Sequence, residues 1–311
     1  MKKVWIFLAI LFCAALLIFL LSERDHTYVA SDYGVLPGNN GSENSKNLQD
    51  LIDRVSVKGG TIFIPQGEYL FCQNGTQTYG DHCIKMRSNV SILGSGDQTI
   101  LMPVGESRYG LDLFYFNDYL DHGKADYLEN CRFQDFVIDA SGTSCETYTS
   151  AGKGFMFNLF RNCHWRNVTV KFTDATGFGV DCPINSTIVN CTAIGCGKAA
   201  NEDATGASGF GIGYGFTEGE SIEIRDCIAR DNRIFGFFFE HQGRFDPQRY
   251  ALDNQGDFLV TACEADNNLY NFGGISACNL IYRECSSGTF RAREFFFEDC
   301  VNCEYNGVRL P

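Results

Sequence analysis

The sequence predicts an all-β solenoid of stacked coils, on three observations. Cysteine recurs at one phase of a repeated phrase, a short amphipathic helix precedes a series of short β-branched strands, and three stretches align by glycine and aromatic residues. The phrases NCRF (Cys131), NCHW (Cys163), NCTA (Cys191), DCIA (Cys227), ACEA (Cys263), ECSS (Cys285) and DCVN (Cys300) follow one another at intervals of 32, 28, 36, 36, 22 and 15 residues. Recurrence at such a period marks coils that stack on one another. The same phase then means the same place, so these thiols are expected to form one interior column in which Cys acts as a small hydrophobe. A disulfide framework is the alternative that an even count in an exported chain raises. Such frameworks staple domains too small to build a core, and 311 residues with 44% hydrophobic content can build one. Cys300 and Cys303 form a lone CxxC with no second CxxC or His pair, so no structural zinc is expected.

The elements follow in order. Residues 1–24 contain Val4 to Leu21, 18 apolar residues without a charge, long enough for a transmembrane helix. Lys2 and Lys3 before it and Glu23 after it place the N-terminus inside and the rest of the chain outside. A cleaved signal peptide is the alternative, but no small-x-small site follows Leu21. Either way residues 25–311 form one domain beyond the cytoplasm, reached through a single-pass anchor or by secretion. Residues 25–46 are rich in turn formers and read as an irregular leader. Ser45 can then cap a short helix, Asn47 to Val57, with Leu48, Leu51, Ile52 and Val55 on one face, and Gly59-Gly60 stops it. TIFIPQGEYLF (61–71) and SNVSILGSGDQTILMPV (88–104) read as short strands broken by Gly, Pro and Asp turns. From about residue 110 the pattern is strand, Asn/Asp/Gly turn, strand, loop, strand. The longest insert is Cys196 to Ser208, and the C-terminal end is expected to be irregular. A sandwich or propeller would need two-residue hairpins or a constant repeat, and neither is present.

A net charge of -13, with no basic run outside the first three residues, excludes nucleic acid as a partner because nothing would neutralise its phosphates. A local cationic patch can still hold an anionic polymer.

GGTIFIPQGEYLF after the helix, SNVSILGSGDQTIL after that, and the serial NC phrases resemble the right-handed parallel β-helix proteins of the pectate-lyase-like superfamily. That superfamily includes polysaccharide lyases, polygalacturonase-type hydrolases, uronan epimerases and tailspike depolymerases. The resemblance covers roughly residues 29–311 and implies a parallel β-helix acting on a polysaccharide partner. The NTD, DD, GHG and RIK phrases of polygalacturonases do not occur. The epimerases' DPHD-like phrase is only echoed by GFGVDCP (177–183), where Cys182 is inserted and His is absent.

Three coils align as Gly177-Phe178-Gly179-Val180-Asp181, Gly209-Phe210-Gly211-Ile212-Gly213 and Gly236-Phe237-Phe238-Phe239-Glu240. Side chains alternate along a strand, so Phe178, Val180, Phe210, Ile212, Phe237 and Phe239 share the core face. Asp181 and Glu240 then flank Gly213 on the outer face, two coils or about 9.6 Å apart. Inverting glycosidases hold their carboxyl groups about 6.5–9.5 Å apart. The pair is therefore the candidate acid and base of a hydrolase, above a low glycine floor, with Phe238 exposed as an apolar face for a sugar ring. His241 is a further candidate base, acid or substrate contact. Glu202 and Asp203, in the longest loop, are candidate substrate or calcium contacts. Arg244 and Arg249 are candidate partners of a carboxylated sugar. In a lyase or C5-epimerase acting on a uronic-acid polymer, Tyr214, His241 or Arg244 would instead take the proton beside a neutralised carboxylate. A third alternative is a non-catalytic glycan-binding or envelope scaffold.

Overall fold

The computed structural model describes residues 26–73, 80–201 and 206–310. Val4 to Leu21, Glu202 and Asp203 lie outside the described residues. Among the described residues no helix is long and apolar enough to cross a membrane.

Helix α1 (Gly41–Ser56) opens the domain, and it starts earlier than the sequence suggests. Asn40, not Ser45, is the N-cap: the Glu43 N–H donates to its side chain, and the Glu43 carboxylate accepts from the Asn40 N–H. Ser45 instead lies buried, with its hydroxyl on the Cys72 carbonyl. Leu48, Leu51, Ile52 and Val55 cover the first coil. The leader is not wholly irregular, since Thr27–Val29 adds a parallel strand beside Gly60–Phe63.

Beyond α1 the chain winds into coils with three faces. One face is a parallel sheet containing β1 (His82–Lys85), β2 (Asp112–Phe116), β3 (Phe155–Arg161), β4 (Phe178–Ile184), β5 (Ser208–Tyr214), β6 (Phe235–His241), β7 (Asn268–Ile275) and β8 (Phe290–Glu298), each beside the next. The other two faces belong to one seventeen-stranded sheet that bends at a corner. Arg132–Asp139 and His164–Lys171 run through that corner at Asp135 and Asn167, whose φ values are 59° and 52°. Later coils break there into separate strands, such as Ser186–Val189 and Thr192–Ile194.

Asn and Asp tolerate the left-handed backbone that such corners require, and their side chains then link coil to coil. Asn130 donates to Asn89 at 2.9 Å, Asn162 to Asn130 at 3.2 Å and Asn185 to Asn162 at 2.7 Å. A second ladder at the next corner runs from Asn190 to Asn167 to Asp135 at 2.7 Å per step.

The cysteines following these corners form two interior columns, not one. Cys131 and Cys163 sit after the first corner, where Ser186 continues the column by accepting the Cys163 N–H. Cys191, Cys227, Cys263 and Cys285 sit after the second corner; the Cys191 N–H donates to the Cys227 sulfur and the Cys227 N–H to the Cys263 sulfur. Both corners begin with the same Asn/Asp turn, so one phrase recurs at two places in the coil. All fourteen cysteines among the described residues are free thiols.

The core face of the site sheet is an aromatic stack. Phe155, Phe178, Phe210, Phe237 and Phe272 lie in register, with successive ring centroids 5.4, 4.7, 4.9 and 5.6 Å apart. Each is wholly buried, and such burial contributes roughly 1.5–3 kcal/mol per ring.

Candidate active site

The outward positions of β3 to β6 form a row in register: Asn158, Asp181, Gly213 and Glu240. Immediately after Asn158 and Asp181 the strands kink together, at Leu159 (φ 64°) and Cys182 (φ 58°). The kink turns a second consecutive residue outward in each strand. Leu159 and Cys182 there form a small apolar cluster with Tyr250, which anchors the segment after β6 above the sheet. A left-handed leucine is costly, and here the cost is offset by the packing of that segment.

Three chain segments wall a cleft of about 410 Å³ over this row. They are the short helix α2 (Asp118–His122), the approach to β3 (residues 149–153) and the segment after β6 (residues 242–250). Asp181 and Glu240 both line the cleft, as the sequence predicts, and both carboxyl groups are shifted. Burial raises Asp181 above the ordinary carboxylate range, against the opposing pull of Lys153, the Gly213 N–H and Arg249. Burial, reinforced by the Asp181 charge, pushes Glu240 up to about 7. Asp181 Oδ1 accepts the Gly213 N–H at 2.7 Å. Glu240 Oε1 accepts from Gln242 Nε2 at 3.3 Å, and its Oε2 has no hydrogen-bond partner.

The glycines do not form an open floor. A Cβ on Gly179 would collide with the Lys153 side chain, and one on Gly213 would meet Asp181 and Gln242. The glycines are seats for these polar side chains. Lys153 thus lies across β4 and reaches the two carboxyl groups, whose titration feels its charge. Arg249 enters from the opposite wall, its guanidinium stacked 3.6 Å from the Tyr119 centroid and 4.8 Å from that of Tyr250. Its Nε and Nη2 are buried without a hydrogen-bond partner. Burial raises the Tyr250 hydroxyl above its ordinary range, and Asn158 donates to it at 3.4 Å.

Other sequence candidates fall elsewhere. Phe238 lines the cleft but is 1% exposed, stacked on Phe235 at 4.3 Å within a second apolar cluster, so it offers no open face. His241 is also 1% exposed: its Nδ1 accepts the Gly243 N–H and its Nε2 bonds the Asn254 carbonyl, which occupies both ring nitrogens. Tyr214 belongs to the core, its hydroxyl between the Ser276 carbonyl and the Cys278 N–H, and burial raises it far above its usual range. The strand remains outward-polar only as far as Glu240; Tyr214 and His241, one position on, face inward. Arg244 is exposed on Phe245, yet its charge reaches Glu240.

Lys153, Asn158, Gln242 and Tyr250 escape the sequence reading. A signal existed for one: Gly154-Phe155-Met156-Phe157-Asn158 is a fourth copy of the aligned phrase, with Asn158 where Asp181 stands. Among the described residues no group of three or more His, Cys, Asp or Glu side chains is arranged to hold a metal ion.

No family model matches the chain. It is 25% identical over 262 residues to mannuronan C5-epimerase AlgE1 of Azotobacter vinelandii and 26% identical over 264 residues to AlgE2 of the same organism, each alignment covering 79% of this chain. The chain spans 16% and 22% of the lengths of those two proteins. Among solved structures, the A-module of A. vinelandii mannuronan C-5 epimerase AlgE6 superposes with a TM-score of 0.55 at 15% identity, over 89% of this chain and 79% of that one. A mutant tailspike protein of E. coli bacteriophage HK620, solved with a pentasaccharide, superposes with a TM-score of 0.57 at 15% identity, over 88% of this chain and 47% of that one. With its parallel three-faced coils, the chain has the right-handed parallel β-helix fold that these solved structures share.

Proposed function

We propose that the chain is an enzyme that acts outside the cytoplasm on a uronic-acid polysaccharide, exchanging the proton at C5 of a uronate residue in the cleft and so epimerising it. The observation that carries this reading is Arg249, held between Tyr119 and Tyr250 with its Nε and Nη2 lacking hydrogen-bond partners, and facing the same cleft as Lys153 and two carboxyl groups. A neutral sugar needs no pair of cations facing it from two walls of a cleft. A uronate does, because removing its C5 proton drives charge onto the adjacent carboxylate.

In this mechanism Arg249 and Lys153 bind that carboxylate, and Glu240, protonated near neutral pH, donates a hydrogen bond to it. Asp181, more basic than an ordinary carboxylate, takes the C5 proton. The electron pair moves into the carboxylate. The Tyr250 hydroxyl then returns a proton to the opposite face, which yields the epimer. Expulsion of the C4 oxygen from the same intermediate would instead give a lyase product. The names of the curated relatives, mannuronan C5-epimerases, support the first outcome. The apolar segment Val4 to Leu21 supports the extracytoplasmic placement.

Hydrolysis is the second reading, favoured by the placement of Asp181 and Glu240 on either side of Gly213, with Glu240 pushed up to about 7 as a general acid would be. One experiment separates these. The full-length chain is incubated in D2O with polymannuronate, polygalacturonate and a neutral glucan, and three signals are read: deuterium at C5, unsaturated uronate absorbance and new reducing ends. Deuterium at C5 without new ends is the expected result. Unsaturation indicates a lyase, and reducing ends alone a hydrolase. Tight polymer binding with none of the three signals indicates a glycan-binding scaffold.

A further inference from the structure

Lys153 reaches the cleft by an unusual route. It stands on a segment threaded between Gly110, where a Cβ would meet Ala151 at 2.5 Å, and Asp174, whose Cβ would lie 2.7 Å from one on Gly152. At its base lies Asp112, 1% exposed and on strand β2 of the same sheet, next to β3. Asp112 Oδ1 accepts the Gly152 N–H at 2.9 Å and the Lys153 N–H at 2.7 Å, while the Leu113 N–H donates to the Lys153 carbonyl at 3.0 Å. At the far end, the Lys153 Cδ, Cε and Nζ lie over Gly179, in space that any side chain there would fill.

We infer that Asp112 is a positioning residue which, together with the bare backbone of Gly179, holds Lys153 in the cleft as the ammonium that receives a substrate carboxylate. This rests on the uronate reading for the identity of the ligand, and on geometry alone for the placement of Lys153. A buried carboxylate anchors two amides from a fixed strand, so the root of the lysine cannot drift. The glycine channel then leaves its stem one path. An ammonium on a mobile loop would lose rotamer freedom on binding; here that freedom is already lost in the fold. Asp112 Oδ2 makes no hydrogen bond, and burial pushes the carboxyl group up to about 7 in spite of the two amides. A buried acid kept at that cost, away from the substrate, is what a clamp on a working residue requires.

The test uses the full-length chain with Asp112→Ala, Asp112→Asn, Gly179→Ala, Lys153→Met and the double variant Asp112→Ala with Lys153→Met. The first readout needs no ligand: 13C-dimethyl-lysine NMR, with the Lys153 signal assigned by its loss in Lys153→Met. Asp112→Ala and Gly179→Ala are each expected to move that signal, and Asp112→Asn, which keeps an Oδ1 acceptor, to leave it in place. The second readout is affinity for a mannuronate tetrasaccharide. Lys153→Met is expected to weaken it about tenfold, as loss of one charge-assisted hydrogen bond does. Asp112→Ala added to Lys153→Met is expected to weaken it no further, because the two act through one group. A Lys153 signal unmoved by Asp112→Ala overturns the inference even if Gly179→Ala moves it, as does a loss from Asp112→Ala that multiplies with that from Lys153→Met. Should Asp112→Ala fail to fold, Gly179→Ala and Asp112→Asn still decide the NMR readout. If the unaltered chain binds no uronate oligomer, the uronate reading falls while the NMR signal still decides the placement.

Discussion

The two sides of the same strands are built on opposite rules. Inward, β3 to β7 repeat one residue, Phe155, Phe178, Phe210, Phe237 and Phe272, ring on ring. Outward, three positions along, no two neighbours are alike: Asn158, Asp181, Gly213, Glu240, Ile275 and Glu298 follow in register. Stacked coils favour identical neighbours where packing is the only demand, because one ring shape fits another at a fixed spacing. Identical charges at the same spacing would repel. A row of differing polar residues under loops therefore marks the side where the fold has stopped serving itself, and the inward side is its internal control.

Substitutions can break or sharpen that contrast. The largest effect is expected from Asp181→Asn, which leaves the fold intact but lowers turnover about 10²–10⁴-fold if Asp181 moves a proton; C5 deuterium incorporation measures it. A variant that keeps its full rate would show the outward row to be passive. Inward, Phe210→Ala opens a hole in the middle of the stack and should cost about 3–5 kcal/mol of stability, read by urea unfolding. A loss below about 1 kcal/mol would mean that the column relaxes and that ring stacking contributes little.

Smaller is the effect expected of Arg249→Ala, a roughly 10–100-fold loss of affinity for uronate oligomers with none for neutral ones. Arg249→Lys should restore it only in part, because a lysine cannot reproduce the planar guanidinium stacked between Tyr119 and Tyr250. Equal losses for neutral and acidic sugars would remove the carboxylate role. The smallest effect is in the pH dependence of stability. The Glu240 carboxyl group is raised in the fold from 4.5 to about 7, so between these values the folded state binds the extra proton. Its contribution is complete below 4.5 and is lost as pH rises through 7. Glu240→Gln should remove that part of the decline in chemical denaturation at pH 5 and pH 8, while Asp112 and Glu220, also pushed up to about 7 by burial, keep theirs. An unchanged slope would place Glu240 in open solvent.

What could be read in advance follows the same division. The coil architecture, the inward Phe row and the outward placement of Asp181 and Glu240 came from alternation and recurrence, both local properties of a strand. The error over the cysteines came from the same source: an Asn or Asp turn followed by Cys looks alike at either corner, and only pairing tells Cys163 from Cys191. The open face expected of Phe238 and the catalytic place expected of His241 fail because burial by Ala200, Ile234 and Tyr270, or by the 242–254 segment, is not encoded in the strand itself.

By itself, then, the sequence determined the solenoid, its aromatic interior and the outward placement of Asp181 and Glu240, since each is specified by residues a short, regular distance apart, and it singled out Arg249 as a partner for a carboxylated sugar without placing it. Only the tertiary structure decided that Lys153, Arg249 and Tyr250 meet over Asp181 and Glu240. These three stand on segments of irregular length, and where such segments close on one another depends on glycine seats, on a kink shared by Leu159 and Cys182, and on a buried clamp at Asp112, all of which act through space rather than along the chain.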